Sequence, residues 1–229
     1  MVDSAEDPKP PADSDREETL MSAADWDRCW RRPAWVPVQS DNRYDHGGRS
    51  WQMRRIARLL DGIELGHITT IELGCGTGLI TRCLFDHYDV SSALAVDFSP
   101  QAVAKARANG RGRNIRVVQA DLTRWQTTER FDLAVSVGLI EHFAGKVLAD
   151  IVRLHHDVLK PGGHAIIMYP RRGLLWPVLR AFNRLQGISE DPPRDTDLFR
   201  LLKQSGLRLL RHRRFVFGMM LGLVARRAC

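Results

Sequence analysis

The chain has no apolar run long enough to cross a bilayer. Its longest, Phe215 to Val224 near the C-terminus, is ten residues interrupted by two glycines, against the ~20 that a spanning helix needs. Cysteine is scarce as well. Cys29, Cys75, Cys83 and Cys229 show no Cys-x-x-Cys spacing, which argues against a disulfide scaffold or a zinc site and for a reduced, cytoplasmic setting. No metal site is expected. Met1 is followed by acidic residues rather than by a basic and then an apolar segment, so no secretory signal is expected. Also missing is the Gly-x-Gly-x-x-Gly spacing that accommodates a pyrophosphate, which argues against a dinucleotide as first choice.

At 229 residues and 44% hydrophobic, the chain suits one α/β domain with appendages. The net charge of +7 is unevenly placed: residues 1 to 18 hold seven acids and two bases, whereas thirteen bases and four acids lie beyond Tyr169 and Pro170. The acidic start, rich in Pro and Ser, cannot bury enough surface to offset its chain entropy and reads as a disordered tail over 1–18. Residues 19–48 read as an N-terminal cover segment. In it Trp26 and Trp30 are four apart and share a helical face, and the polar loop after Ser40 carries Tyr44 and His46.

The domain proper spans 49–229. A helix from about Arg49 to Leu60 precedes strands expected at Ile68–Leu73, Ala93–Val96, Asn114–Gln119, Phe131–Val137 and His164–Tyr169. Helices are expected at Leu79–His87, Gln101–Ala108, with Ser99 as cap and Pro100 at its first position, and Phe143–Leu159. This alternation implies right-handed crossovers and a doubly wound parallel sheet, with ligands beyond the carboxyl ends of the strands. Residues 171–193 break the repeat as an inserted helical cover. A helix at Asp197–Lys203, stopped by Gly206, leads to a closing hairpin of Leu207–Phe217 and Leu221–Arg227.

The strand ends carry the chemistry. Ile71 to Gly78 reads Ile-Glu-Leu-Gly-Cys-Gly-Thr-Gly. Gly74, Gly76 and Gly78 let the backbone turn tightly and approach a ligand, and the following helix presents unpaired N–H groups. The second strand ends in Asp97-Phe98-Ser99, where a carboxylate can accept from both hydroxyls of a ribose. The third ends in Asp121-Leu122, able to take an exocyclic amine and a ring nitrogen. The fourth runs into Val137-Gly138-Leu139-Ile140-Glu141-His142-Phe143.

These segments, with Phe-Asp-Leu-Ala-Val-Ser from Phe131 and Leu-Lys-Pro-Gly-Gly from Leu159, resemble the class I S-adenosylmethionine-dependent methyltransferases over about residues 45–228. The resemblance implies a Rossmann-like seven-stranded sheet with its last strand antiparallel, and S-adenosyl-L-methionine as cofactor. It places Gly74, Cys75 and Gly76 at the methionine part with Glu72 supporting the loop, Asp97 on the ribose, and Phe98 against adenine. Asp121 and Leu122 would read the adenine edge, with Val137 and Gly138 by the sulfonium.

Leu-Ile-Glu-His-Phe is similar to the Glu-His segment of small-molecule, quinone and lipid methyltransferases. That implies transfer to an O, N or C nucleophile of a hydrophobic metabolite, acidic or neutral, of natural-product, quinone or lipid-like kind. The Asn/Asp-Pro-Pro-Tyr segment of enzymes that methylate base amino groups is absent, so no specific nucleic-acid partner is expected despite the charge. The basic C-terminal third implies at most weak contact with an anionic membrane surface. His142, with an ordinary pKa of ~6.5, is the candidate general base, a role typically worth ~10²- to 10⁴-fold. Glu141 would fix its tautomer or touch the acceptor, and Tyr44 and His46 are further catalytic candidates. A non-methylating binding protein or cyclase of the same fold keeps every motif, and an RNA or protein methyltransferase is the remaining alternative. His155 and His156, inside a long helix, read as structural.

Overall fold

The structure is a computed structural model that describes residues 18–31, 51–173 and 176–229. Tyr44, His46, Trp35 and residues 1–17 lie outside the described residues. Glu18, assigned above to the tail, belongs to the fold: its carbonyl accepts from the Ala144 N–H at 2.8 Å and its carboxylate from the Val147 N–H at 2.9 Å.

In chain order the elements are α1 (Ala23–Arg31), α2 (Trp51–Leu60), β1 (Ile68–Leu73), α3 (Leu79–His87), β2 (Val90–Asp97), α4 (Pro100–Asn109), β3 (Ile115–Gln119) and β4 (Phe131–Val137). A 3₁₀ turn (Ile140–His142) follows, then α5 (Gly145–Asp157), β5 (Leu159–Pro170), α6 (Trp176–Leu185), α7 (Asp195–Gln204), β6 (Leu207–Phe215) and β7 (Met220–Arg227). The seven strands form one sheet in the order β3-β2-β1-β4-β5-β7-β6. β1 to β5 pair in parallel, and β7 enters antiparallel between β5 and β6. The order reverses between β1 and β4, so the crevice beyond these strands is where such a sheet holds its ligand.

Alternation along the strands divides the core. Ile71, Leu73, Leu94, Val96 and Ile167 pack with Val147, Ile151 and Val152 of α5 and Leu198 and Leu202 of α7. Leu133, Val135, Ile166 and Met168 face the other way, onto Met53, Ile56 and Leu59 of α2 and Ile80 and Leu84 of α3. The Ser99 hydroxyl caps α4 by accepting from the Ala102 N–H at 3.2 Å, with Pro100 at the first position.

Several boundaries differ from the sequence reading, four of them with a visible cause. β2 starts at Val90, ahead of Ala93, because Val90 and Ser92 already pair with β1 and the Ser91 hydroxyl donates to Ile68 O. α5 starts at Gly145, since Phe143 instead bridges to Thr19. β5 starts at Leu159, whose pairing with Phe131 makes Lys160–Gly163 a bulge within the strand rather than a loop before it. A Cβ at Gly163 would lie 3.0–3.1 Å from three backbone oxygens, so only glycine fits there. β6 stops at Phe215 because Val216 and Phe217 both take left-handed backbone, φ 51°.

Candidate active site

One cavity of about 1190 Å³ lies at the carboxyl ends of the parallel strands. Its floor is the loop Gly74–Thr77, Asp97–Phe98, Ala120–Arg124 and Val137–Phe143. Its cover comes from Thr19–Ala23, Trp26 and Trp30 together with Leu179, Asn183, Ile188 and Glu190, the two segments meeting where Ile188 packs on Met21 and Cys29.

The loop is held from both ends. The buried Glu72 carboxylate accepts from the Thr81 N–H at 2.9 Å and from its hydroxyl, tying β1 to the start of α3. Burial pushes Glu72 up to about 8, although the Thr81 bonds oppose the rise. Asp97 accepts from the Gly76 N–H at 2.8 Å with one oxygen and from the Ser99 N–H at 3.0 Å with the other. Burial raises its pKa, and the N–H groups of Ser99 and Gly76 work against that. With about four acceptor sites in all, the Asp97 carboxylate retains capacity for a ligand hydroxyl. Cys75 touches the cavity, but its N–H is already bonded to Val96 O at 3.0 Å. Burial raises its thiol well above the ordinary value, which leaves it unreactive.

Phe98 and Leu122 line the cavity half-buried, and Asp121 is exposed at its rim. One Asp121 oxygen accepts from the N–H and hydroxyl of Thr123, at 2.9 and 2.8 Å. The other carboxylate oxygen makes none of these turn bonds. Val137 and Gly138 complete the floor. Gly138 has φ 71°, and a Cβ there would sit 3.5 Å from Glu141 Oε1.

The cover is built by α1, which opens on Ser22 and Asp25 bonding reciprocally, the Ser22 N–H to Asp25 at 2.8 Å and the Asp25 N–H to Ser22 at 3.3 Å. Trp26 and Trp30 stack with centroids 6.2 Å apart. Trp30 lies so close over the loop that a Cβ on Gly76 would come within 2.9 Å of its ring. Lys105 Nζ donates to Trp30 O at 3.0 Å, fixing α1 to α4. Trp26 meets the edge of the His142 ring, centroids 4.8 Å apart.

Glu141 and His142 are both buried in the turn after β4. The cap of α5 falls to Glu18 rather than Glu141. His142 Nδ1 lies 2.9 Å from Ser189 O; a carbonyl only accepts, so Nδ1 carries the proton and Nε2 the lone pair. Burial pulls His142 down to about 4, the Ser189 bond opposing. At neutral pH it is a neutral imidazole and a much weaker base than its ordinary pKa suggests. Beside it stands Glu190, which sequence reasoning missed: it lies in the inserted cover, outside any motif. Asn183, on α6, donates to Glu190 Oε2 at 3.0 Å. Burial, then the charge of Glu190, raises Glu141 well above the carboxylate range.

Residues 71–163 match a family model described as a methyltransferase domain. Over 142 residues the chain is 28% identical to trans-aconitate 2-methyltransferase of Streptomyces avermitilis, covering 60% of this chain and 51% of that protein. It is also 28% identical over 142 residues to the chloroplastic 2-methyl-6-phytyl-1,4-hydroquinone methyltransferase of Spinacia oleracea, covering 62% of this chain and 41% of that protein. The chain thus matches about half or less of the length of these curated relatives. Among solved structures, the magnesium protoporphyrin IX methyltransferase of Synechocystis PCC 6803, determined with bound S-adenosylhomocysteine, superposes with a TM-score of 0.66 at 18% identity. That match covers 90% of this chain and 94% of the other, and at such identity it speaks for the fold.

Proposed function

We propose, on the premise that its methyltransferase domain makes this chain a member of the class I S-adenosylmethionine-dependent methyltransferases, that it methylates an O, N or C nucleophile of a hydrophobic, acidic small molecule. The observation that carries this reading is the continuity of the cavity, which runs from the glycine loop and Asp97 to the enclosed Glu141–His142 end under Trp26. One end suits a nucleoside; the other suits a second, smaller ligand. The names of the two curated relatives, one an acid's methyltransferase and one a hydroquinone's, support an acceptor of the same kind.

In this reading Asp97 takes the ribose hydroxyls, Phe98 lies against adenine, and Asp121 with Leu122 reads the adenine edge. Gly74, Cys75 and Gly76 bound the methionine part, and Val137 and Gly138 flank the sulfonium. When bound, the cofactor supplies an already electrophilic methyl, so the chain's task is to align a nucleophile and exclude water. Trp26 and Trp30 do the excluding. Neutral His142 offers its Nε2 lone pair to an acceptor hydroxyl or amine, orienting it as hydrogen-bond acceptor more than deprotonating it.

α6 adds a surface contact. Val178, Phe182 and Leu185 are exposed there beside Arg180 and Arg184, which suits weak attachment to an anionic membrane surface that delivers hydrophobic acceptors. Among the described residues no helix is long and apolar enough to cross a membrane.

The test is incubation with methyl-labelled S-adenosylmethionine and a fractionated small-molecule extract. Label in a low-mass product supports the reading. Label confined to RNA or protein, or cofactor binding with no transfer to any fraction, would replace it with one of the other readings of the fold.

A further inference from the structure

The enclosed end of the cavity contains an arrangement that methyl transfer alone does not call for. Glu141, His142 and Glu190 each offer one ligand atom, and these atoms all lie within 4.8 Å of one another. Two ligands of one ion at 2.1 to 2.4 Å are at most about 4.2 to 4.8 Å apart, so the three can converge on a single ion with small side-chain rotations.

A second observation points the same way. Glu141 is 2% exposed, and its Oε2 has no hydrogen-bond partner. A buried carboxylate oxygen is costly unless something pairs with it. The other two groups are each held by a neighbour, His142 by Ser189 O and Glu190 by the Asn183 amide. The Asp191 N–H also donates to Glu141 O at 2.7 Å, fixing the two segments against each other. Ligands oriented from behind in this way are the usual setting of a metal centre.

We propose that Glu141, His142 and Glu190 form a binding site for one divalent cation at the acceptor end of the cavity. Two carboxylates favour an oxygen-seeking ion, and the imidazole admits Mn²⁺. Three protein ligands leave positions open toward the cavity, where the ion would take an oxygen of the acceptor, a carboxylate or an ionisable hydroxyl; with the ion bound, His142 Nε2 ligates it, and the acceptor is oriented by the ion instead of directly by the imidazole. An oxygen so bound gives up its proton more readily than a free one. The sequence reading expected no metal because it looked to cysteine spacing; this site uses none. The acceptor's place on the ion rests on the methyltransferase reading, but the ion site itself does not.

The full chain, treated with chelator and freed of it, is titrated with Mn²⁺ alone while the electron paramagnetic resonance of the free ion is followed. The expected result is loss of free signal equivalent to one ion per chain, and a melting temperature raised by roughly 5 to 10 °C when Mn²⁺ is at a hundredfold excess over Kd. Glu141→Gln and the less enclosed Glu190→Gln should each weaken Mn²⁺ binding by about tenfold or more, while calorimetry shows S-adenosylmethionine affinity within about threefold of the parent. Wild type that leaves the signal undiminished overturns the site, as does binding that is unchanged in both variants. If Mn²⁺ fails to bind but S-adenosylmethionine binds normally, only the cation site falls. If Mn²⁺ binds but S-adenosylmethionine does not, the cation site stands and the methyltransferase reading falls.

Discussion

Three buried carboxyls show how partners, more than residue type, decide a role. Glu72 is bonded to Thr81 and holds the helix behind the loop. Asp97 is bonded to Gly76 and Ser99 and keeps lone pairs facing the cavity. Glu141 keeps an oxygen with no bond at all. Gly76 is as constrained as they are: at φ 51°, under the Trp30 ring, it has neither the backbone freedom nor the space for a side chain. Gly76→Val should therefore abolish cofactor binding and lower stability by at least the ~1–2 kcal/mol of left-handed backbone strain. Calorimetry and thermal melts check this, and a variant that binds normally would contradict the close approach of Trp30.

His155 carries a pH dependence. It is fully buried between Ile151 O and the Ser136 hydroxyl, at 2.8 Å each, and burial brings it down to about 4 from the ordinary 6.5. Below pH 6.5 the unfolded chain takes up the proton first. Its contribution is therefore complete above pH 6.5 and is lost as pH falls from 6.5 to about 4, on the order of 1.4 kcal/mol per pH unit at most. His155→Gln should make that decline shallower in denaturant titrations at pH 7, 5.5 and 4.5, the remainder belonging in part to His142, which burial also brings down to about 4. An unchanged slope would show that the buried imidazole is not its source.

At the scale of elements, the strands, α3, α4 and the glycine loop were legible because their signals are local. Ser99-Pro100 is a cap that needs no tertiary partner, and Gly74, Gly76 and Gly78 sit where a strand pattern stops. What was not legible depends on contacts distant in sequence. Glu190 joins Glu141 only because residues 188–191 lie over the turn after β4, and Lys160–Gly163 reads as a loop until Leu159 pairs with Phe131. The pKa of His142 likewise follows from its enclosure under Trp26 and Ser189, which composition does not reveal.

α1 tests the cover directly. Trp26→Ala opens the His142 end while leaving Asp97 and the loop in place, so it should raise the acceptor KM more than it weakens S-adenosylmethionine binding. Equal losses in both would mean that α1 serves the cofactor alone. For α6, Phe182→Ser should reduce co-sedimentation with anionic liposomes at low salt, and high salt should release the parent protein, because exposed arginines act over only ~8 Å at physiological ionic strength. Indifference to lipid charge would leave α6 as ordinary solvated surface.

For the whole molecule, the sheet order brings the ends of β1, β2, β3 and β4 to one crevice, and α1 and residues 176–193 cover it together. The account stands or falls on that crevice holding S-adenosylmethionine through Asp97. Calorimetric titration of the cofactor into the full chain and into Asp97→Ala is the most direct measurement. One site per chain in the parent is predicted, weakened in the variant by ~1.5 to 3 kcal/mol, the range for hydrogen bonds to a charged group. A folded parent that takes up no cofactor, or a variant that binds it as tightly as the parent, would contradict the assignment.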